Sequence, residues 1–429
     1  MNQRKVIFFY LSAAVIFLFS FTACEEEEIN NDPDQEVINT EMETSEFVET
    51  LMNELYLWYN EVPEIDITQY KNASEVFYEL LYDDIDKWSF ITTVQQYEQI
   101  TKGESKSYGV YFKYDENDDV RVAFTYENSP MGKAGVERSF ILEKINGQDI
   151  DNLINDESFE KEITQETNTF IFRNNQDKLD TLTLTQSTFQ SDAILYSDTF
   201  NLDNKITGYC VLNTFMEYSD SEIDSVFSRF HSAGIDELIL DLRYNGGGAV
   251  SIAQDLAGVM CPNASLGNTF IHFANNPKYT LYDTIYHLKA PGYNLDLDRL
   301  FVITSSQTAS ASEAIINGLQ PYMDVVQIGH VTHGKPVGMN GFEKNGYMML
   351  PVTFSLSNSE GKAGYYDGLQ PDYIMADDLS KQFGNPEEAS LQAAMKLIKG
   401  ESVPQQKKSR ALPRQAFELT GMRHWIGHY

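Results

Sequence analysis

The chain has 429 residues, 42% of them hydrophobic, which is long enough for two or three domains with cores of their own. Its 64 acidic residues against 31 basic ones leave a formal charge of −33, which argues against nucleic acid and anionic lipid surfaces as partners because both would be repelled. The 26 Phe and 25 Tyr suit packed, strand-rich domains and argue against a disordered chain.

The amino terminus reads as an export signal. Arg4 and Lys5 precede the apolar run "VIFFYLSAAVIFLFSFTA", which ends at Cys24. The run is nearly long enough to span a bilayer, so an uncleaved anchor is the alternative. The small Thr22-Ala23 pair before Cys24 resembles the lipobox of bacterial lipoproteins, although Phe21 stands where that motif usually has Leu. The resemblance implies a signal peptide over 1–24 and lipidation of Cys24. The protein would then be anchored to a bacterial membrane, the outer one first, facing the periplasm or the cell surface. The following "CEEEE" resembles the acidic tag of lipoproteins sent to the surface. Residues 25–44, acidic and without periodicity, read as a tether.

In "SEFVETLMNELYLWYNEV", Phe47, Leu51, Leu55 and Trp58 recur at helical spacing with Val48 and Met52 beside them, and "NASEVFYELLYDDIDKWSFI" reads as a second helix behind a polar cap. Together they predict a small helical module over 45–104. From 105 to 190 the texture changes to short strands, with "YGVYFKY" and "VRVAFTY" paired around the turn "DENDD". The stretch "ENSPMGKAGVERSFILEKINGQDI" that follows resembles a PDZ domain, with "SP…AG" opening a short helix and "ILEKINGQ" a strand and turn. The resemblance implies a peptide site at the loop Tyr108, Gly109, Val110 and Tyr111. There Gly109 would meet a terminal carboxylate and an exposed strand edge would add the peptide as a further strand.

Between 191 and 400 strands and helices alternate: "ITGYCVLNTF", "SEIDSVFSRFHSAG", "DELILDL", "VSIAQDLAGVM", "RLFVIT", "SEAIINGLQPYM" and "VVQIGH". This alternation predicts an α/β layered domain. Cys210 and Cys261 are the remaining cysteines, and spacing leaves open whether they pair. Residues 401–429 read as a basic C-terminal extension.

Three segments of this domain carry chemistry. In "DLRYNGGG", Gly246, Gly247 and Gly248 permit a turn whose amides converge on an anion, or simply a flexible connection. In "TASASE", Ser310 and Glu313 have capping-box spacing, which by itself explains a helix start. A serine there also sits at a helix amino terminus, beside the free amide of Ala311. In "GHVTHGKPVG", Lys335 has apolar neighbours able to lower its proton affinity, yet most lysines are surface charges. His330 with His333 and His424 with His428 form two pairs without a third ligand, so no metal is expected.

In this order the three segments resemble the carboxy-terminal processing peptidases, also called tail-specific proteases, over roughly residues 105–400. The resemblance implies a ClpP/crotonase-like catalytic core beside the PDZ-like domain, a protein or peptide substrate and no cofactor. It selects Ser310, rather than Ser306 or Ser312, as nucleophile and Lys335, 25 positions further on, as base. The Ala311 amide and one amide of the Gly246–Gly247 turn would form the oxyanion hole. The family commonly has glutamine four residues after the lysine, where this chain has Met339. Asn340, Glu313, His330 and His333 are the candidates to hold Lys335 instead. The expected function is an exported serine endopeptidase. The alternatives are a peptide-binding scaffold without turnover and an esterase or amidase using the same serine.

Overall fold

In the computed structural model, which describes residues 33–404, the apolar runs of the α/β region align in one six-stranded sheet. Its order is Ile194–Leu202, Lys205–Leu212, Glu237–Asp241, Arg299–Thr304, Asp324–Gly329 and Tyr373–Ile374. All neighbours are parallel except the first pair. Parallel strands need cover on both faces. Leu238 and Leu240 point toward the helices Asp220–Ala233, Val250–Met260 and Ala311–Leu319 on one side. Ile239 points the other way, toward the helix Ala389–Ile398. The helix Asp220–Ala233 ends where expected, on Gly234 in the left-handed region (φ 64°).

The helical module differs from its reading in two places. Its first helix, Pro33–Leu55, begins inside the expected tether, because Glu41 finds partners: its carboxylate accepts from Ala73 N–H (3.1 Å) and Tyr347 Oη (3.0 Å). The second helix is only Ala73–Glu79, capped by Asn72. Past it, Asp86 turns back to accept from the amides of Trp88 (2.9 Å) and Ser89 (3.0 Å), a local bond that competes with continuing the helix. The strand Phe90–Thr93 then joins Tyr347–Leu350, which pairs in turn with Phe342–Lys344, so the module is woven into the far end of the chain.

The β-rich region folds as a separate sheet in the order Val110–Tyr114, Val120–Thr125, Ile141–Ile145, Thr167–Arg173 and Leu179–Thr185, around its own core of Phe112, Leu142, Phe170 and Phe172. The helix Pro130–Lys133 starts on Ser129, whose Oγ accepts from Gly132 N–H. The chain enters and leaves this region through one antiparallel pair, Glu104–Ser107 with Ser187–Gln190.

A buried ionic cluster fastens the region to the α/β sheet. Asp377 accepts from Lys113 Nζ (2.8 Å), Arg138 Nη2 (2.8 Å), Arg243 Nη1 (2.9 Å) and Tyr244 Oη (2.6 Å). Arg243 is shared with Asp241 and Glu388, so three cations face three carboxylates. Burial pushes the Asp377 carboxyl up, but the three cations override it and hold it well below the usual range. Asp377→Ala is expected to cost about 3 kcal/mol in urea unfolding at pH 7, since it strands buried positive charge. A depressed carboxyl contributes stability above its unfolded pKa of about 3.9 and loses it as pH falls through the folded value. The deficit of the variant should therefore persist down to about pH 4 and shrink only below it.

Cys210 and Cys261 are both buried free thiols. No helix among the described residues is long and apolar enough to cross a membrane. Cys24, His424 and His428 lie outside the described residues.

Candidate active site

The central strand Glu237–Asp241 delivers the glycine turn to the edge of the sheet, and the next strand, Arg299–Thr304, delivers the serine loop beside it. The two loops are laced together. Ser305 Oγ donates to Arg243 O (2.5 Å), Thr308 Oγ1 to Leu242 O (2.8 Å) and Ser312 Oγ to Asn245 O (3.0 Å). Ala309 N–H donates to that same Asn245 carbonyl (3.1 Å).

Ser310 sits at the first turn of the helix Ala311–Leu319 with φ 55° and ψ −114°, outside the regions a side chain favours. The glycine turn packs closely against this residue. A Cβ on Gly247 (φ 108°) would stand 2.8 Å from Ser310 Cβ and 3.1 Å from Ala311 N, so only glycine lets the turn press so closely on the serine. Gly248 (φ 139°) is as tight against the main chain of Phe215. Ser310 opens onto a cleft of about 1110 Å³ bordered by Gly248, Val337, Met339, Phe273, Tyr286 and Phe354.

Lys335 is fully buried, and burial drives its ammonium well below the usual proton affinity, against the pull of Asp86 and Glu313. Glu313 binds the two loops together. Its Oε2 accepts from the amides of Ser310 (3.0 Å) and Lys335 (2.8 Å), and its Oε1 from Gly334 N–H (2.7 Å) and Thr332 Oγ1 (2.5 Å). Burial pushes the Glu313 carboxyl up while these donors pull it down, and burial prevails. The capping-box spacing thus has a second use: the carboxylate that meets Ser310 N–H also holds the lysine turn.

Of the other groups that sequence offered to hold Lys335, Asn340 Nδ2 donates to Thr353 Oγ1 (2.8 Å), and His330 stands near Lys113 and Asp377. His333 Nε2 accepts from Trp88 Nε1 (3.2 Å). The apolar Met339 side chain packs in the cluster that holds Trp88, Val337 and Val352. Among the expected oxyanion donors, the Gly247 amide is engaged, donating to Asn245 Oδ1 (2.9 Å). Asn245 itself is a buried hub that sequence reading passed over, since one Asn before three glycines looks like any turn residue.

The expected peptide loop is partly closed. Tyr108 and Tyr111 are buried. Tyr108 Oη donates to Gln165 O (2.7 Å), and Tyr111 meets the Gln307 side chain while stacking on Phe124. Gly109 N–H donates to Ser107 Oγ (3.1 Å), and a Cβ there would overlap Ser129. The two tyrosine side chains therefore serve the interior instead of facing a ligand. Val110 begins the outermost strand of the sheet, which pairs on one side only among the described residues.

Ser310 and Lys335 thus stand buried on two loops that Glu313 joins, with Ser310 on the cleft beside the glycine turn. Residues 206–375 match the peptidase family S41 and residues 43–90 the peptidase S41 N-terminal domain, together half of the chain. The chain belongs to peptidase family S41. It is 22% identical over 293 residues to a probable CtpA-like serine protease of Staphylococcus aureus, a match covering 64% of this chain and 56% of that one. A Staphylococcus epidermidis protein of the same description is 21% identical over 301 residues, 67% of this chain and 57% of the other. The chain thus spans a little over half the length of the curated relatives it matches. Among solved structures, a putative S41 protease from Bacteroides fragilis shares the fold with a TM-score of 0.68 at 23% identity, covering 82% of this chain and 97% of that one. The photosystem II D1 C-terminal processing protease shares it at 0.50 and 18% identity, covering 79% and 93%.

Proposed function

We propose that this chain is an exported serine endopeptidase acting on protein substrates through Ser310 and Lys335. The observation that carries the reading is the Glu313 carboxylate, which binds the amides of both residues and so fixes a nucleophile loop and a base loop to one another. Burial supports the role of Lys335, because a lysine must be neutral to accept a proton. Ser310 Oγ attacks the peptide carbonyl while its proton passes to Lys335 Nζ. The Ala311 amide and the glycine turn stabilise the oxyanion, with the Gly247 amide contributing once Asn245 releases it. The ammonium then protonates the leaving amine, and water attacks the acyl ester with Lys335 again taking the proton. No step needs a cofactor.

The β-rich region is read as a PDZ-like module that takes an extended peptide along the free edge of Val110–Tyr114, using the main chain of Gly109 and Val110. Attachment through a lipid on Cys24, to the outer membrane, completes the reading.

The test uses protein beginning after Cys24, incubated separately with casein, with a nitrophenyl ester and with a fluorophosphonate. Casein fragments together with a single adduct at Ser310 are the expected result. An adduct at another serine would overturn the assignment. An adduct at Ser310 with an ester turned over and casein intact would favour the esterase. No adduct and no fragments would favour the binding scaffold.

A further inference from the structure

We propose that Asp86 is the counter-charge of Lys335, a carboxylate brought in by the N-terminal module to stabilise the ammonium that forms when Lys335 takes the serine proton. The inference rests on the Ser310–Lys335 reading above. The apolar Met339 side chain packs against the cluster of Trp88 and Val337, Asn340 donates to Thr353 Oγ1, and His330 stands near Lys113 and Asp377. Glu313 meets the main chain of the lysine turn.

Asp86 is nearly buried, at 4% exposure, and is held rigidly. Oδ2 accepts from Tyr56 Oη (2.7 Å) and Ser89 Oγ (2.5 Å), and Oδ1 from the amides of Trp88 and Ser89. Its loop reaches the lysine turn at one point and the strand beside that turn at another. Trp88 Nε1 donates to His333 Nε2, two residues before Lys335. Val352 N–H donates to Ser89 Oγ (2.8 Å), and Val352 lies in the strand paired with Val337–Met339. Trp88, Val337 and Val352 close one apolar core over this region, so charges there interact with little solvent between them.

The titratable groups around the lysine are few. Asp86 and Glu313 oppose the effect of burial, Asp86 the more strongly. His333 lies on the same turn, and Tyr365 is half-buried near Glu313. Tyr56 and, beyond it, Asp83 flank Asp86. Without Asp86 the lysine would be an ever-neutral amine too weak to pull the serine proton. With it the base keeps a useful proton affinity and its ammonium has a fixed partner, the service an aspartate gives to histidine in a catalytic triad. Asp86 is thus a positioning residue that acts through Lys335.

The test follows fluorophosphonate labelling of Ser310 against pH, which reads the nucleophile and its base without a peptide substrate. Wild type should gain rate through one ionisation. In Asp86→Asn the midpoint should move down by about one pH unit, because the ammonium has lost its partner. The plateau should also fall about tenfold. Asp86→Glu should restore the midpoint. A folded Asp86→Asn protein with the wild-type midpoint overturns the proposal, whatever its activity, because a purely structural role lowers the rate without moving the titration. Should the Asn variant not fold, Tyr56→Phe decides: stripping one donor concentrates charge on Asp86 and should raise the midpoint, and a midpoint that stays or falls overturns the proposal. Lys335→Ala tests the underlying reading separately, which fails if that variant labels with the wild-type rate and midpoint.

Discussion

Arginine in place of Lys335 is expected to abolish casein cleavage, lowering kcat/KM by at least about 10³-fold, even though it keeps the charge. A guanidinium stays protonated at any working pH and so cannot take a proton from Ser310. Lys335→Ala should lose as much, and Ser310→Ala should match both singly and in combination, because the pair acts as a unit. Quantitative mass spectrometry of casein fragments is the measurement, and a variant within tenfold of wild type would contradict the assignment. Stability should move the other way in Lys335→Met. A lysine whose folded proton affinity is depressed takes up a proton on unfolding, so native stability rises with pH toward the unfolded pKa of about 10.4. Methionine removes that penalty, so the Tm should rise at pH 7, with a gain that shrinks toward pH 10.

The second large effect is expected from Glu313→Gln. The carboxylate accepts four hydrogen bonds, two on each oxygen, whereas an amide has one oxygen and places its own N–H groups against the donors on the other side. If the amide nitrogen takes the Oε2 position, the Ser310 and Lys335 amides are orphaned. If it takes the Oε1 position, Gly334 N–H is. Each orphan costs about 1–3 kcal/mol, so urea unfolding should show a loss of about 2 kcal/mol. The loops would also settle apart, and displacement of about 1 Å lowers kcat by about 10²-fold. Glu313→Gln should therefore keep casein affinity while losing turnover. A variant with normal kcat would show that the clamp is dispensable.

The sequence made the strands of the α/β region legible because parallel strands buried on both faces are apolar throughout, as in "ELILDL". That the glycine turn and the Ser310 loop follow neighbouring strands was legible because an apolar run broken by small residues marks a strand end. What escaped is what depends on distant segments. Trp88 and His333 stand 245 positions apart, so nothing local could tie Asp86 to the lysine turn. The helix over 33–44 was read as a tether because its acidic residues look solvated until Tyr347 and Lys344 meet them. Tyr108 and Tyr111 look like rim residues in the string "SYGVYF", and burial against Phe170 and Tyr244 assigns them to the interior.

The β-rich region leaves and rejoins the rest of the molecule through the single ladder Glu104–Ser107 with Ser187–Gln190. To the backbone of the α/β sheet, everything beyond that ladder is topologically a hairpin turn, closing a gap of about 5 Å however long the insert. Such a cassette can grow, shrink or be exchanged without altering the register of a single core strand. A replacement would have to bring two cations of its own to Asp377, where Lys113 and Arg138 now dock, and an apolar face for Tyr244 in place of Tyr111 and Phe124. Changes inside the insert are thereby kept apart from the strand order of the α/β sheet.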